Sequence, residues 1–160
     1  MVLVGGDVIG YSHYFKQVRE ATVEEWSKII EDTNKIIDGA GVPLWAEYTA
    51  PNSSPTVNEK EIVFNGCGDD GHETFFLQRE KYNEFNFCKT ARKPYDVVVC
   101  AILIAAEHHA PGAWDIGSDG DYSGEGCDEW GPALKLANRL LGEKVINDIE
   151  RQYKMPPGVR

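Results

Sequence analysis

The sequence predicts an α+β fold: an antiparallel sheet with helices on one face, in the ferredoxin-like split βαβ order, plus helices added at the C-terminus. Three observations carry this. Thr22-Val-Glu-Glu25 is a capping box placed before apolar residues at helical spacing. Glu61–Asn65 and His72–Arg79 are strand-like segments on either side of the Gly-rich hexapeptide Gly66–Gly71, the pattern of a hairpin. Val97–Ala106 is an unbroken apolar run of ten residues, too long for an ordinary strand.

The elements follow in order. Residues 8–18 mix aromatic and β-branched residues and predict a strand, with Tyr11, His13 and Phe15 on one face and Ser12 and Tyr14 on the other. After Thr22, the residues Val23, Trp26, Ile29, Ile30, Thr33, Ile36 and Ile37 form one helical stripe, with Trp26 in the core, and Gly39 and Gly41 end it. Residues 42–60 carry three prolines and Asn52-Ser53-Ser54, which predict a long loop with a short extended piece at Leu44–Tyr48. After the hairpin, Phe85–Cys88 is a short extended piece. It leads to Pro94, which suits the first position of the central helix because a missing N–H costs nothing there. The β-branched Val97, Val98 and Val99 favour a strand, but length decides for the helix. A run without a polar stripe implies burial on most sides. Pro111-Gly112 breaks the chain, and Ala113–Gly117 predicts a short strand. Ser118–Glu129 is an acidic, Gly-containing loop. A helix begins near Gly131-Pro132, with Trp130, Leu134, Ala137 and Leu141 along one face and Gly142 as its cap. Glu143–Tyr153 reads as a further helix, and residues 155–160 as a frayed tail.

A chain of 160 residues predicts a single domain, 1–160, and a hydrophobic content of 42% supports an ordinary core. With 16 Lys and Arg against 26 Asp and Glu, the net charge is -10, which argues against duplex nucleic acid and acidic membranes as partners. The four cysteines form no C-x-x-C pair, so reduced thiols in a cytoplasm are expected. The N-terminus lacks a signal-peptide pattern, and no apolar run approaches the length of a membrane span.

In this acidic chain one dense basic cluster stands out: Lys89, Arg92 and Lys93, with Thr90 between them, just before the predicted central helix. Helix N–H groups, the helix dipole and Lys/Arg together favour an anion such as a phosphate or carboxylate. A solvated basic turn is the plainer alternative. Arg79, His13 and Tyr11 are further candidates for the same pocket. Aromatic residues around it suit stacking on a base, although at least half of them are expected in the core. His72-Glu-Thr74 has the H-x-T spacing of the 2H phosphoesterases, and is similar to them in this tripeptide only, without the second motif. His72 as acid or base and Thr74 as a phosphate contact form the enzymatic alternative. No metal site is expected: His108-His109 has no closely spaced partners, and the acidic loop fails the EF-hand spacing. Cys88 beside Lys89 is a candidate for a lowered thiol pKa, against the commoner buried thiol. No cofactor-binding motif occurs.

Four phrases, Gly10-Tyr-Ser-His-Tyr-Phe15, Gly71-His-Glu-Thr-Phe75, Phe87-Cys-Lys-Thr-Ala-Arg-Lys-Pro-Tyr-Asp96 and Ser118-Asp-Gly-Asp121, together resemble a group of small uncharacterised proteins of tailed bacteriophages and some bacteria. The resemblance implies a setting, the cytoplasm of an infected bacterium, and no catalytic residues. The resulting expectation is a small anionic-ligand binding module, for a nucleotide or a phosphate-bearing metabolite, that sequesters a host signalling nucleotide. The alternatives are phosphoester cleavage by His72 and Thr74, and an inhibitory protein-binding module. A homodimer or higher homo-oligomer is the expected assembly.

Overall fold

In the computed structural model, residues 11–81, 86–120, 126 and 128–142 are described. Their order is β1 (Ser12–Gln17), α1 (Val23–Ala40), β2 (Leu44–Trp45), β3 (Thr56–Val57), β4 (Glu61–Gly66), a 3₁₀ turn (Gly68–Asp70), β5 (Phe75–Gln78), β6 (Phe87–Lys89), α2 (Asp96–His109), β7 (Trp114–Ser118) and α3 (Gly131–Leu141). The class is α+β, and every strand pairing is antiparallel.

Helix α2 is the centre. Val98 to Glu107 are all buried, and Val98–Ala106 have no exposed surface at all. Helices α1 and α3 both pack on it and on each other, and β7 touches it from the sheet side. An all-round apolar helix of this kind is stable only when surrounded, so its neighbours are arranged about it.

The strands form two sheets among the described residues. One has the order β6-β1-β7; in the other, β4 pairs with β2, β3 and β5. The expected ferredoxin-like arrangement is therefore not seen there: the β4–β5 hairpin, which that arrangement joins to β1 in one sheet, belongs to the second sheet. Its register, Phe64 opposite Phe75 and Ile62 opposite Leu77, puts four fully buried residues on one face. That face covers core already built by α2, so the hairpin buries its side chains without a strand ladder to β1; the link from β1 is the Gln17 side chain, which donates to the Gln78 and Arg79 carbonyls at 3.3 and 3.0 Å.

From His13 onward strand β1 keeps the expected alternation, with His13, Phe15 and Gln17 buried while Tyr14 and Lys16 are not; Ser12, expected on the outer face, is buried as well as Tyr11. The predicted His72–Arg79 strand starts only at Phe75, and the predicted long loop contains the two-residue strands β2 and β3. Residues 8–10, Phe85, most of the acidic loop and the predicted helix Glu143–Tyr153 lie outside the described residues. No described helix is long and apolar enough to cross a membrane.

Helix α1 begins as its sequence requires. The Glu25 amide donates to the Thr22 hydroxyl at 3.1 Å, and the Thr22 amide donates to the Glu25 carboxylate at 2.8 Å. Gly41 closes the helix in the left-handed region at φ 70°. Arg19 also holds Glu25 with two hydrogen bonds of 2.9 and 3.0 Å. That pairing keeps the Glu25 carboxyl below its ordinary pKa. A depressed carboxylate contributes stability above its unfolded-state value and loses it as pH falls through the folded one. Thr22→Ala is expected to lower stability by about 1 kcal/mol at neutral pH, and Glu25→Gln to remove part of the loss below the usual carboxylate range. Urea midpoints measured against pH check both.

Candidate functional site

Three segments meet at one end of α2. His13 comes from β1, the turn Thr90–Lys93 connects β6 to α2, and Ser118 closes β7. His13 has no exposed surface. Its Nε2 lies 2.6 Å from Asp96 Oδ1, and its Nδ1 lies 2.8 Å from Ser118 Oγ. The Thr90 hydroxyl donates to the same Asp96 oxygen at 2.5 Å.

The protons follow from counting donors. Ser118 Oγ already accepts from the Gly120 amide and from Trp130 Nε1–H, both at 2.9 Å. A hydroxyl has two acceptor sites and one proton. Ser118 therefore donates to His13 Nδ1, so Nε2 carries the ring proton and donates to Asp96. This chain bears on the one group of three metal-type donors that stands within ligand reach among the described residues: His13, Asp96 and Cys100, with donor atoms within 4.8 Å of one another. Cys100 Sγ lies 3.3 Å from His13 Nε2 and 3.8 Å from Asp96 Oδ2. A metal on Nε2 needs the proton on Nδ1, which would aim a third donor at Ser118 Oγ. The network fits a proton-bearing buried cluster and does not fit a metal centre.

The second half of the site is the loop after β4. Asn65 is fully buried and organises it. Its carbonyl oxygen accepts from the amides of Gly66 and His72, at 2.8 and 3.1 Å. Its amide nitrogen donates to the His72 carbonyl and the Thr74 hydroxyl, at 3.0 and 3.1 Å. The loop is tight enough that a Cβ on Gly66 would stand 2.2 Å from the Asp70 carbonyl oxygen. Glu73 then ties this loop to the first sheet. Its amide donates to the Lys89 carbonyl at 3.1 Å, and its side chain accepts from the Lys89 amide at 2.7 Å. Its carbonyl accepts from the buried Tyr95 hydroxyl at 2.5 Å.

This stitching leaves a cleft of about 900 Å³ between loop and turn, lined by Tyr48, Asp69, His72, Arg92 and Lys93 among others. Two of the predicted anion ligands and the predicted acid–base histidine thus come together. The side chains of His72 and Lys93 make no hydrogen bond or ion pair with described residues. Arg92 stacks its guanidinium 4.1 Å above the Tyr11 ring and donates from Nη2 to Glu129 at 2.7 Å. Its other N–H groups have no partner among the described residues. The turn itself is strained: Ala91 and Arg92 stand at φ 52° and 58°, a region in which residues with a Cβ are disfavoured.

The other predicted residues land elsewhere. Lys89 serves through its main chain, as described. Thr90 is fully buried against Asp96 and is not a ligand contact. His13 is sealed in the network above. Tyr11 is buried beneath Arg92, beside a smaller cavity of about 320 Å³ that also reaches Asp96 and Glu129. Burial pushes its hydroxyl pKa up. Arg79 lines a different groove, with Val23 and Trp26, and donates to the Ala21 carbonyl at 3.0 Å. The hydroxyl of Thr74 accepts from the Asn65 amide nitrogen, and Thr74 does not line the cleft. At the N-terminus of α2, Pro94 and Asp96 line the smaller cavity and not the cleft, and Asp96 puts a negative charge in the first helical turn. Burial pushes the Cys88 thiol up, the reverse of activation by Lys89. His109 meets Asp32 across α1 and α2 at 2.5 Å, an internal pair. Sequence reasoning missed Asn65, Asp69, Asp96 and Tyr48. Only Asn65, a polar residue closing an apolar strand before a Gly-rich turn, carried a readable signal.

The chain matches no family model, no curated protein and no solved structure.

Two outcomes follow from the loop and the turn. Asn65→Ala removes four hydrogen bonds and strands buried amides, and a loss of about 2–3 kcal/mol is expected in urea denaturation. Ala91→Gly relieves about 1–2 kcal/mol of left-handed strain against the larger freedom of an unfolded glycine. A net gain of about 0.5–1 kcal/mol is expected from the same measurement.

Proposed function

We propose that the protein binds a small phosphate-bearing anion in the cleft between the Gly66–Thr74 loop and the Thr90–Lys93 turn. The observation that carries this reading is that Arg92, Lys93 and His72 line one open cleft in a chain of net charge -10. Arg92 offers a planar fork of donors, Lys93 a compact charge, and His72 a ring nitrogen, a set that suits tetrahedral oxyanions. Glu129 and Tyr11 hold Arg92 near the cleft before a ligand arrives, which lowers the ordering cost of binding. The sequestering role and the phage setting implied by the sequence resemblance belong to this proposal, as does self-association.

His72 lining the same cleft favours phosphoester cleavage as the second reading. Against it, Thr74 does not line the cleft, and the cleft supplies no second histidine among the described residues. Asp69 is the remaining group for proton transfer there.

The test is calorimetric titration of the full chain with inorganic phosphate, pyrophosphate and nucleotides. Replacing both Arg92 and Lys93 by Ala is expected to weaken binding at least tenfold with an unchanged circular dichroism spectrum, because neither side chain is buried. Undiminished affinity in that variant sinks the assignment. Recovery of a nucleotide cleaved by wild type and intact with His72→Ala would move the reading to the enzyme.

A further inference from the structure

Resting on the anion-binding reading of the same cleft, we infer that its ligand is a nucleoside monophosphate, with the phosphate on Arg92 and Lys93, the ribose hydroxyls on Asp69 and the base against Tyr48.

The size of the cleft is the first argument. A space of about 900 Å³ is far larger than an inorganic phosphate needs, and lies at the upper end of the range that holds cofactor-sized ligands. Something beyond the anion must fill it.

Tyr48 is the second. It is 55% exposed and is the one aromatic ring besides His72 among the residues that line the cleft. Its ring stacks on no described aromatic and its hydroxyl has no described partner. A large ring left bare at the edge of a basic cleft is a platform for a flat ligand group. It stands on the residues just after β2, and the turn carrying Asp69 is close by: Gly68 sits against the Trp45 indole, where a Cβ would stand 3.9 Å from Cη2. The left-handed Gly68, at φ 52°, starts the 3₁₀ turn that presents Asp69.

The charge balance is the third. A carboxylate in a phosphate cleft repels the phosphate, so Asp69 fits a ligand that also brings hydrogen-bond donors. Vicinal ribose hydroxyls are such donors, and acidic side chains bind them in other nucleotide sites. The two cations of the cleft, Arg92 and Lys93, are offset by Asp69 and by the Glu129 that already pairs with Arg92, so the lining has cationic donors for one phosphate group and none to spare. Further phosphates would meet an acidic protein with no additional cations, so a triphosphate gains nothing over a monophosphate.

Titrations of the full chain with inorganic phosphate, ribose 5-phosphate, the four nucleoside monophosphates and ATP test this. At least one monophosphate is expected to bind about tenfold tighter than ribose 5-phosphate, as base stacking on one aromatic ring allows. ATP is expected to bind no tighter than AMP. Tyr48→Ala should remove the advantage of the monophosphate and leave ribose 5-phosphate unchanged. Asp69→Asn should weaken ribose 5-phosphate and spare inorganic phosphate. Two outcomes overturn this inference and leave anion binding standing: monophosphates that bind no better than inorganic phosphate, or a Tyr48→Ala variant that keeps the full monophosphate affinity. No binding by any of the probes overturns both.

Discussion

A single hydrogen-bonded chain, Ser118 to His13 to Asp96 with Thr90 joining at the carboxylate, holds one end of the molecule together. Each member comes from a different segment: β7, β1, the start of α2 and the turn before it. Burying a carboxylate is costly unless donors surround it. Here an imidazole N–H and a hydroxyl converge on one oxygen, and the positive end of α2 lies beside it. Because the Ser118 oxygen is filled by Gly120 and Trp130, the direction of every proton is fixed, and the chain has one arrangement rather than several. The loop after β7 is drawn in by the same contacts. Gly120 passes so close to Tyr11 that a Cβ there would meet its hydroxyl oxygen at 2.4 Å. The basic turn is thereby held from behind, with the Ala91 amide bonded to the Tyr11 carbonyl at 3.3 Å.

The cleft lies where two sheets without a shared strand ladder are fastened by side chains and loop amides. Asn65 closes the loop of the second sheet upon itself, and Glu73 carries it to Lys89 of the first. A residue that sequence places in a basic cluster becomes, in the fold, a main-chain anchor. The side chains left facing the cleft belong to the positions between those anchors: Asp69 and His72 on one wall, Arg92 and Lys93 on the other. This division explains why Thr90 and Thr74, both plausible anion contacts by type, are unavailable. The Thr90 hydroxyl spends its proton on Asp96 in a fully buried position, and Thr74, held by the Asn65 amide, does not line the cleft.

What was legible in the sequence follows from which interactions are local. The capping box of α1, the alternation in β1 and the long apolar run of α2 depend on neighbours a few residues apart, and each appears as its pattern implies. The basic turn was legible because three cations in an acidic chain are a local anomaly. The two-sheet topology was not, because β4–β5 buries the same apolar pattern whether it pairs with β1 or packs beside it. Nor was the burial of His13, whose partners lie 83 and 105 residues away. Pro94 suggested an open helix N-terminus. Asp96, two residues on, sets a carboxylate beside that end and turns it to His13 and Thr90, and a sequence window does not say whether an acidic residue there faces inward or out.

The strain in the turn ties these points together. Two consecutive left-handed residues with side chains, Ala91 and Arg92, are unfavourable by themselves. They persist because the turn is fixed at both ends, by Thr90 on Asp96 and by the Asp96 amide bonded to the Lys93 carbonyl at 2.9 Å. A relaxed turn at this place would be free to let Arg92 and Lys93 spread over the acidic surface and pair with its many carboxylates. Arg92 instead pairs with Glu129 while lying flat on Tyr11, and Lys93 stays unpaired among the described residues. In a chain with ten more negative than positive charges, an unpaired lysine beside a half-engaged arginine is the less probable arrangement on electrostatic grounds. The buried network is what enforces it. The stability invested in the buried histidine and its aspartate partner therefore appears, one layer out, as cationic side chains kept available to something the protein itself does not supply.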